Sequence, residues 1–176
     1  VTGDQAQCYG ATSGVTVSLS LQGQSQNTGG AGTDTLTGFE QLGGSDYGDT
    51  LTGDGAANFI DGRGGDDTIS TLAGSDSGNA GAGNDTVFGG DDNDFLLGGL
   101  GDDTLDGGAG TGDMAQYYDS TAGVTVSLAL QGQSQNTGAA GFDTLTNVEQ
   151  LGGSAYNDTL TGDAGNNFLD GQNGDD

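Results

Sequence analysis

An amide or carboxylate side chain recurs every nine residues through the middle of this chain, seven times without a slip: Asp49, Asn58, Asp67, Asp76, Asp85, Asp94 and Asp103. Two residues after each comes an apolar position, Leu51, Ile60, Ile69, Val87, Leu96 and Leu105, with Gly78 the one failure. Glycines gather just before the acidic residue, as in GRGGDDTIS (62–70) and GGLGDDTLD (98–106). Glycine permits the positive φ angles that tight turns need. A glycine-rich turn followed by a short strand, repeated at fixed length, predicts a solenoid whose strands stack about 4.8 Å apart. With one apolar residue per strand turned inward, two facing sheets share a thin core, and a full coil takes two units, about 18 residues.

A second, longer period encloses the first. Residues 14–67 align on residues 123–176 without a gap, offset by 109, with 41 of 54 positions identical. The chain therefore holds one full copy of a unit and part of another, the pattern of a tandem array. Four segments are expected: a β-strand lead-in over 1–42, a β-roll over 43–110, a second lead-in over 111–151 and a truncated second roll over 152–176, the whole looking like a piece of something longer. In the lead-in, VTVSLSL (15–21) alternates Val15, Val17, Leu19 and Leu21 against Thr16, Ser18 and Ser20, predicting a half-buried strand. QGQSQNTGGAGT (22–33) predicts a polar turn. TLTGFEQL (35–42) predicts a second short strand, burying Leu36, Phe39 and Leu42.

Charge decides what must accompany such a fold. The chain carries 26 acidic residues against the single Arg63, a formal charge of −25. That balance excludes nucleic acid as a partner and disfavours an anionic membrane surface. So many carboxylates at close spacing repel one another out of a compact state unless a cation supplies the missing charge. With no histidine and only Cys8, zinc, copper and iron lack nitrogen and sulfur ligands. Carboxylates and carbonyls suit calcium, which accepts a many-oxygen shell more readily than rigid six-coordinate magnesium does. Cys8 has no partner for an intrachain disulfide. Catalysis is not expected: without lysine or histidine the common nucleophile and base arrangements cannot be assembled. Residues 91–94 lack the glycine and the glutamate that an EF-hand requires.

At these residues the chain resembles the RTX (repeats-in-toxin) family of secreted bacterial proteins, whose nonapeptide is GGxGxDxUx. The resemblance implies an all-β parallel β-roll with calcium in the turns and export by a type I-like route. It assigns side-chain ligation to the sixth positions, Asp49, Asp67, Asp76, Asp85, Asp94, Asp103, Asp158 and Asp176. Asn58 and Asn167 stand at the same position as weaker, neutral ligands. Gly112 would end the first series with no ligand. Asp66, Asp91 and Asp102 are expected to be solvated turn residues. The implied function is an extracellular calcium-binding structural segment that folds on binding calcium, as an extender, surface-layer, adhesin or filament component. The alternative is a non-catalytic repeat module of a secreted protease, lipase or polysaccharide-modifying enzyme.

The 18-residue coil also sorts the outward residues. Thr50, Thr68, Thr86 and Thr104 fall on one face, where threonine is simply a good strand residue. Phe59, Ser77 and Phe95 fall on the other, with Leu97 close by, and exposed aromatics on so charged a chain suggest lateral packing against another copy or the lead-in strand. Replacing Phe59 and Phe95 together by serine is expected to weaken association in light scattering. Association and calcium-induced stability that both stay unchanged remove the idea.

Overall fold

The computed structural model describes residues 3–176, so the first two residues of the expected lead-in lie outside it. It is a two-sheet parallel solenoid, the β-roll the nine-residue period predicts. From Gln41–Gly43 through Met114–Gln116, consecutive strands alternate between the sheets and pair two strands apart. One sheet stacks the strands Phe59–Gly64, Ser77–Ala82 and Phe95–Leu100. The facing sheet stacks Thr68–Ala73, Thr86–Asp91 and Thr104–Ala109. The register holds position for position, with Thr50, Thr68, Thr86 and Thr104 in one column and Phe59, Ser77 and Phe95 in the other. The coil is thus 18 residues. These central strands are six residues long, because the positions three and four after the inward apolar residue, such as Arg63 with Gly81 and Leu72 with Gly90, stay paired.

The core is the expected thin stripe. Leu42, Leu51, Ile60, Ile69, Val87, Leu96 and Leu105 are fully buried between the sheets. Burying one such side chain is worth about 1.5–3 kcal/mol, and a coil has only two positions for one. Gly78 leaves no hole: a Cβ there would lie 2.9 Å from Val87 Cγ1, so its neighbours already fill the space.

In the regular coils from Asp67 to Asp103 the repeat's second position is left-handed. Gly81, Gly90 and Gly99 have φ of +109°, +112° and +102°, but Arg63 and Leu72 take the same place at +80° each. The close stacking explains the glycines, since a Cβ on Gly90 would overlap the Leu72 carbonyl of the coil before.

The lead-in departs from expectation in its details. The strand within 15–21 is only Thr16–Ser18; residues 19–21 form a 3-10 turn, and Leu21 points outward. The polar stretch forms a hairpin of Ser25–Gly29 and Gly32–Thr35, and the later strand is Gln41–Gly43. Glutamines, with two donors and an acceptor at the end of each side chain, hold this shape. Gln26 bonds both the N–H and the carbonyl of Ser18, and Gln22 does the same for Phe39. Gln135 and Gln131 repeat both clasps, on Ser127 and Val148.

The second lead-in does not interrupt the solenoid. Met114–Gln116 stacks on Phe95–Leu100, Gln150–Gly152 stacks on Met114–Gln116, and Phe168–Asp170 follows. On the facing sheet Gly141–Thr146 stacks on Thr104–Ala109, with Thr144 joining the threonine column. Residues 117–140 make an excursion from one coil. They place Ser134–Gly138 antiparallel to Gly141–Thr146, and Thr125–Ser127 parallel to Thr159–Thr161 of the following coil. The two copies are therefore stacked along one axis.

Gly90→Ala is expected to lower stability in saturating calcium by about 2 kcal/mol or more, because it combines left-handed strain with the carbonyl overlap. Leu72→Gly, at the same repeat position, should be neutral or stabilising by up to about 1 kcal/mol. Thermal denaturation of the two variants reads the difference, and equal effects would contradict the packing described.

Candidate metal centre

The turns lie along the two edges of the roll, and each edge carries a row of carboxylates one coil apart. In both rows the acidic side chain closes a bond to the coil before it. Asp67 Oδ1 accepts the Asp49 N–H at 2.7 Å, Asp85 accepts that of Asp67 at 2.7 Å, and Asp103 accepts that of Asp85 at 2.9 Å. On the other edge Asp76 accepts the Asn58 N–H at 2.6 Å, and Asp94 accepts that of Asp76 at 2.9 Å. The nine-residue spacing has a structural meaning here: each aspartate replaces a missing strand partner at the start of its neighbour's strand.

The second oxygen of each is left over. Oδ2 of Asp67, Asp76, Asp85, Asp94 and Asp103 is buried with no hydrogen-bond partner. A buried, unpartnered carboxylate oxygen costs several kcal/mol unless a proton or a cation meets it. The glycine five residues earlier keeps the space beside it open. A Cβ on Gly62 would fall against Asp67 Oδ2 and 2.7 Å from the Ala80 carbonyl; one on Gly89 would fall 2.5 Å from Asp94 Oδ2 and 2.6 Å from the Gly107 carbonyl. A carboxylate oxygen and a carbonyl oxygen of the next coil thus border one small cradle. The donors are all hard oxygens, which fits calcium. Among the described residues no three acidic, histidine or cysteine side chains converge, so most of any shell comes from the backbone.

Cradles differ in their wall. Threonine replaces the glycine at residue 71 and is fully buried, its Oγ1 donating at 2.5 Å to the Gly89 carbonyl beside Asp76. Alanine replaces it at residue 80, before Asp85.

The remaining sixth positions are satisfied by protein. Asp49 accepts from Ser45 N, Ser45 Oγ and Val15 N, and Asp158 accepts from Ser154 N, Ser154 Oγ and Val124 N. Asn58 and Asn167 accept the N–H groups of Asp54 and Asp163. Asp176 is exposed, accepting the Asp158 N–H at 2.8 Å. Asp66, Asp91 and Asp102 are exposed; Asp66 and Asp102 also bond to the next turn, through Asn84 N and Phe142 N.

Two buried carboxylates escaped the nine-residue reading. Gly112 has no side chain to offer, but the row does not end there: Asp113, one residue late, accepts the Asp94 N–H at 2.8 Å. Asp143, in the second lead-in, accepts the Asp103 N–H at 3.1 Å, while its other oxygen takes the Thr137 hydroxyl at 2.9 Å. The signal available for both was the 109-residue offset, which pairs Asp113 with Asp4 and Asp143 with Asp34. Arg63, the single cation, lies outside both rows, stacked 4.2 Å over the Tyr9 ring and 3.4 Å from Asp46.

A parallel solenoid with oxygen-lined cradles along both edges is a repeat structure suited to holding hard cations. The RTX calcium-binding nonapeptide repeat model (4 copies) matches residues 43–77, 79–113 and 152–176, more than half of the chain. The chain belongs to this family, whose repeats bind calcium and are structural and generally non-catalytic. No match was found among curated proteins.

Without a cation the buried aspartates take up protons more readily than ordinary carboxylates do. Burial pushes Asp67 and Asp103 from 3.8 up to about 7, and Asp85 and Asp94 up to about 6, the backbone bond each accepts offsetting only part of the rise. Such groups favour the metal-free fold most below the ordinary carboxylate value, and that support is lost as pH rises through about 6 to 7. In chelator, β structure measured by circular dichroism should therefore increase on acidification from pH 7.5 to 4.5. In calcium, the titration midpoint should move to higher calcium over the same range, because protons and cations compete for the same oxygens. A midpoint independent of pH would contradict the assignment.

Proposed function

We propose that this chain is an extracellular structural segment that folds on binding calcium and serves as an extender, surface-layer or filament component of a secreted bacterial protein. The observation that carries the reading is the set of five buried, unpartnered oxygens, those of Asp67, Asp76, Asp85, Asp94 and Asp103, in register along the two edges. These five are the principal calcium ligands, with Gly62, Gly89 and Gly98 keeping the cradles open beside their carboxylates. Asp49 and Asp158, already bonded to serines, bind more weakly, as do Asn58, Asn167 and the exposed Asp176.

Calcium supplies the positive charge that a −25 chain lacks. The residues do the rest: Oδ1 holds the neighbouring strand, glycine keeps the cradle open and the aliphatic stripe excludes water. Where free calcium is low the carboxylates repel and the chain stays unfolded and exportable. Outside the cell, at millimolar calcium, it folds, consistent with the roughly 10⁻⁴ to 10⁻³ M affinities of extracellular modules. The stacking of two copies on one axis suits a role in length, since one sheet runs unbroken from the first copy into the second. No helix among the described residues is long and apolar enough to cross a membrane.

A calcium titration followed by circular dichroism and light scattering tests this. The chain should lack β structure in excess chelator at neutral pH and gain it cooperatively at about 0.1–1 mM calcium. A full β spectrum in chelator sinks the reading.

A further inference from the structure

The strongest unassigned feature lies where the roll meets the excursion. Asp113 is 0% exposed, and its Oδ2 is buried with no partner, as in the regular members of the row. It stands outside the nine-residue phase, in the sequence GTGDMA (110–115). Its surroundings nevertheless repeat the cradle. A Cβ on Gly110 would fall 2.5 Å from Asp113 Oδ2 and against the Asp92 carbonyl, so carboxylate and carbonyl oxygens again border one small space. Here the carbonyl comes from the coil before. From the coil after, the Asn147 carbonyl stands against Gly107, beside the Asp113 carboxyl group. Asn147 reaches this place in a left-handed conformation, φ +52°, pinned by its Nδ2 donating to Asp106 at 2.8 Å.

Asp113 also joins three pieces of chain that are remote in sequence. Its Oδ1 holds the Asp94 N–H, its own N–H donates to Glu149 Oε2 at 3.1 Å, and its carbonyl accepts from Glu149 N and Gln150 N. The first copy repeats this local pattern: the Asp4 N–H donates to Glu40 Oε2 at 3.0 Å, and the Asp4 carbonyl accepts from Glu40 N and Gln41 N. The junction is a built part of the 109-residue unit. Two carboxylates meet there with no cationic side chain to balance them, since Arg63 is engaged with Tyr9 and Asp46.

We propose that Asp113 is a ligand for a further divalent cation, a calcium site outside the repeat phase that clamps the last coil of the roll to the first coil after the excursion. The site carries one metal row across residues 117–140, so that both copies fold as one body. This rests on the proposal that the regular aspartates bind calcium.

Asp113→Asn in the full chain is the test, because the amide keeps the Oδ1 acceptor for Asp94 and removes only the charge. Calcium stoichiometry by equilibrium dialysis should fall by one ion. Amide exchange should lose about tenfold protection at 114–116 and 150–152 in calcium, with 77–82 and 86–91 little changed. In chelator at pH 4.5, where the metal-free fold is favoured, the variant should be no less protected than the wild type, an outcome that a merely structural carboxylate would not give. Asp119→Asn, a nearby carboxylate outside the rows, should leave the stoichiometry unchanged. A variant that binds the full complement overturns the clamp and leaves the regular sites standing. A wild-type chain that binds no calcium overturns both. Should the variant not fold, the wild type decides: junction amides that keep their protection when calcium is removed, while those of 77–82 lose theirs, also overturn it.

Discussion

Six buried aspartates of the two edge rows, Asp67, Asp76, Asp85, Asp94, Asp103 and Asp113, each have one oxygen bound into the backbone ladder and one oxygen bound to nothing. The first oxygen orders the fold: Asp67, Asp85 and Asp103 each close the start of the strand one coil back, so the turns cannot slip relative to the sheets. The second makes that order conditional. A carboxylate held in place by a backbone N–H and stripped of water must be met by a proton or a cation, or the coil opens. Two aliphatic positions per coil set little burial against so many carboxylates, so a cation that meets their free oxygens stabilises the coil where the core is thinnest.

Glycine follows from the same constraint. The position five residues before each aspartate is small because a Cβ would occupy the cradle, as at Gly62, Gly89 and Gly98. The position four before is left-handed, and its Cβ would run into the coil below, as at Gly90. These are different reasons for the two glycines that open the repeat. They fail differently too. Leu72 and Arg63 accept left-handed strain at the second, whereas Thr71 and Ala80 bring a side chain to the wall of the first.

The roll was legible in the sequence because its period is enforced twice, by the inward aliphatic and by the Oδ1 bond, so composition and spacing agree on an 18-residue coil. The threonine and phenylalanine columns followed from that period alone, and the register places them as expected. The lead-in was legible only in outline. Its hairpin and its glutamine clasps depend on amide groups reaching backbone eight or seventeen residues away, which no periodicity announces. Asp113 and Asp143 were hidden for a related reason: the coil containing them is longer than 18 residues, so a fixed step walks past them onto Gly112 and Thr121. Spatial register survives the insertion, but sequence spacing does not.

The two edges respond differently to that insertion, and topology explains why. The excursion of residues 117–140 leaves after the strand Met114–Gln116 and returns before Gly141–Thr146, so it departs from the edge that carries Asp49, Asp67, Asp85 and Asp103. On that edge the row meets Asp143, whose second oxygen is sealed by the Thr137 hydroxyl, and it starts afresh at Asp158, sealed by Ser154. A row ending against an irregular segment has no next coil to complete a cradle, and hydroxyls satisfy its last and first carboxylates instead. The opposite edge is crossed by no excursion. There the bonded series runs on from Asp94 to Asp113 to Glu149, and the orphaned oxygen persists at Asp113. A solenoid can therefore carry an irregular insertion on one edge and in one sheet while the other edge and the sheet that runs from Gln5–Gln7 to Phe168–Asp170 continue through it, which is how a 109-residue unit built on a nine-residue period keeps a single axis.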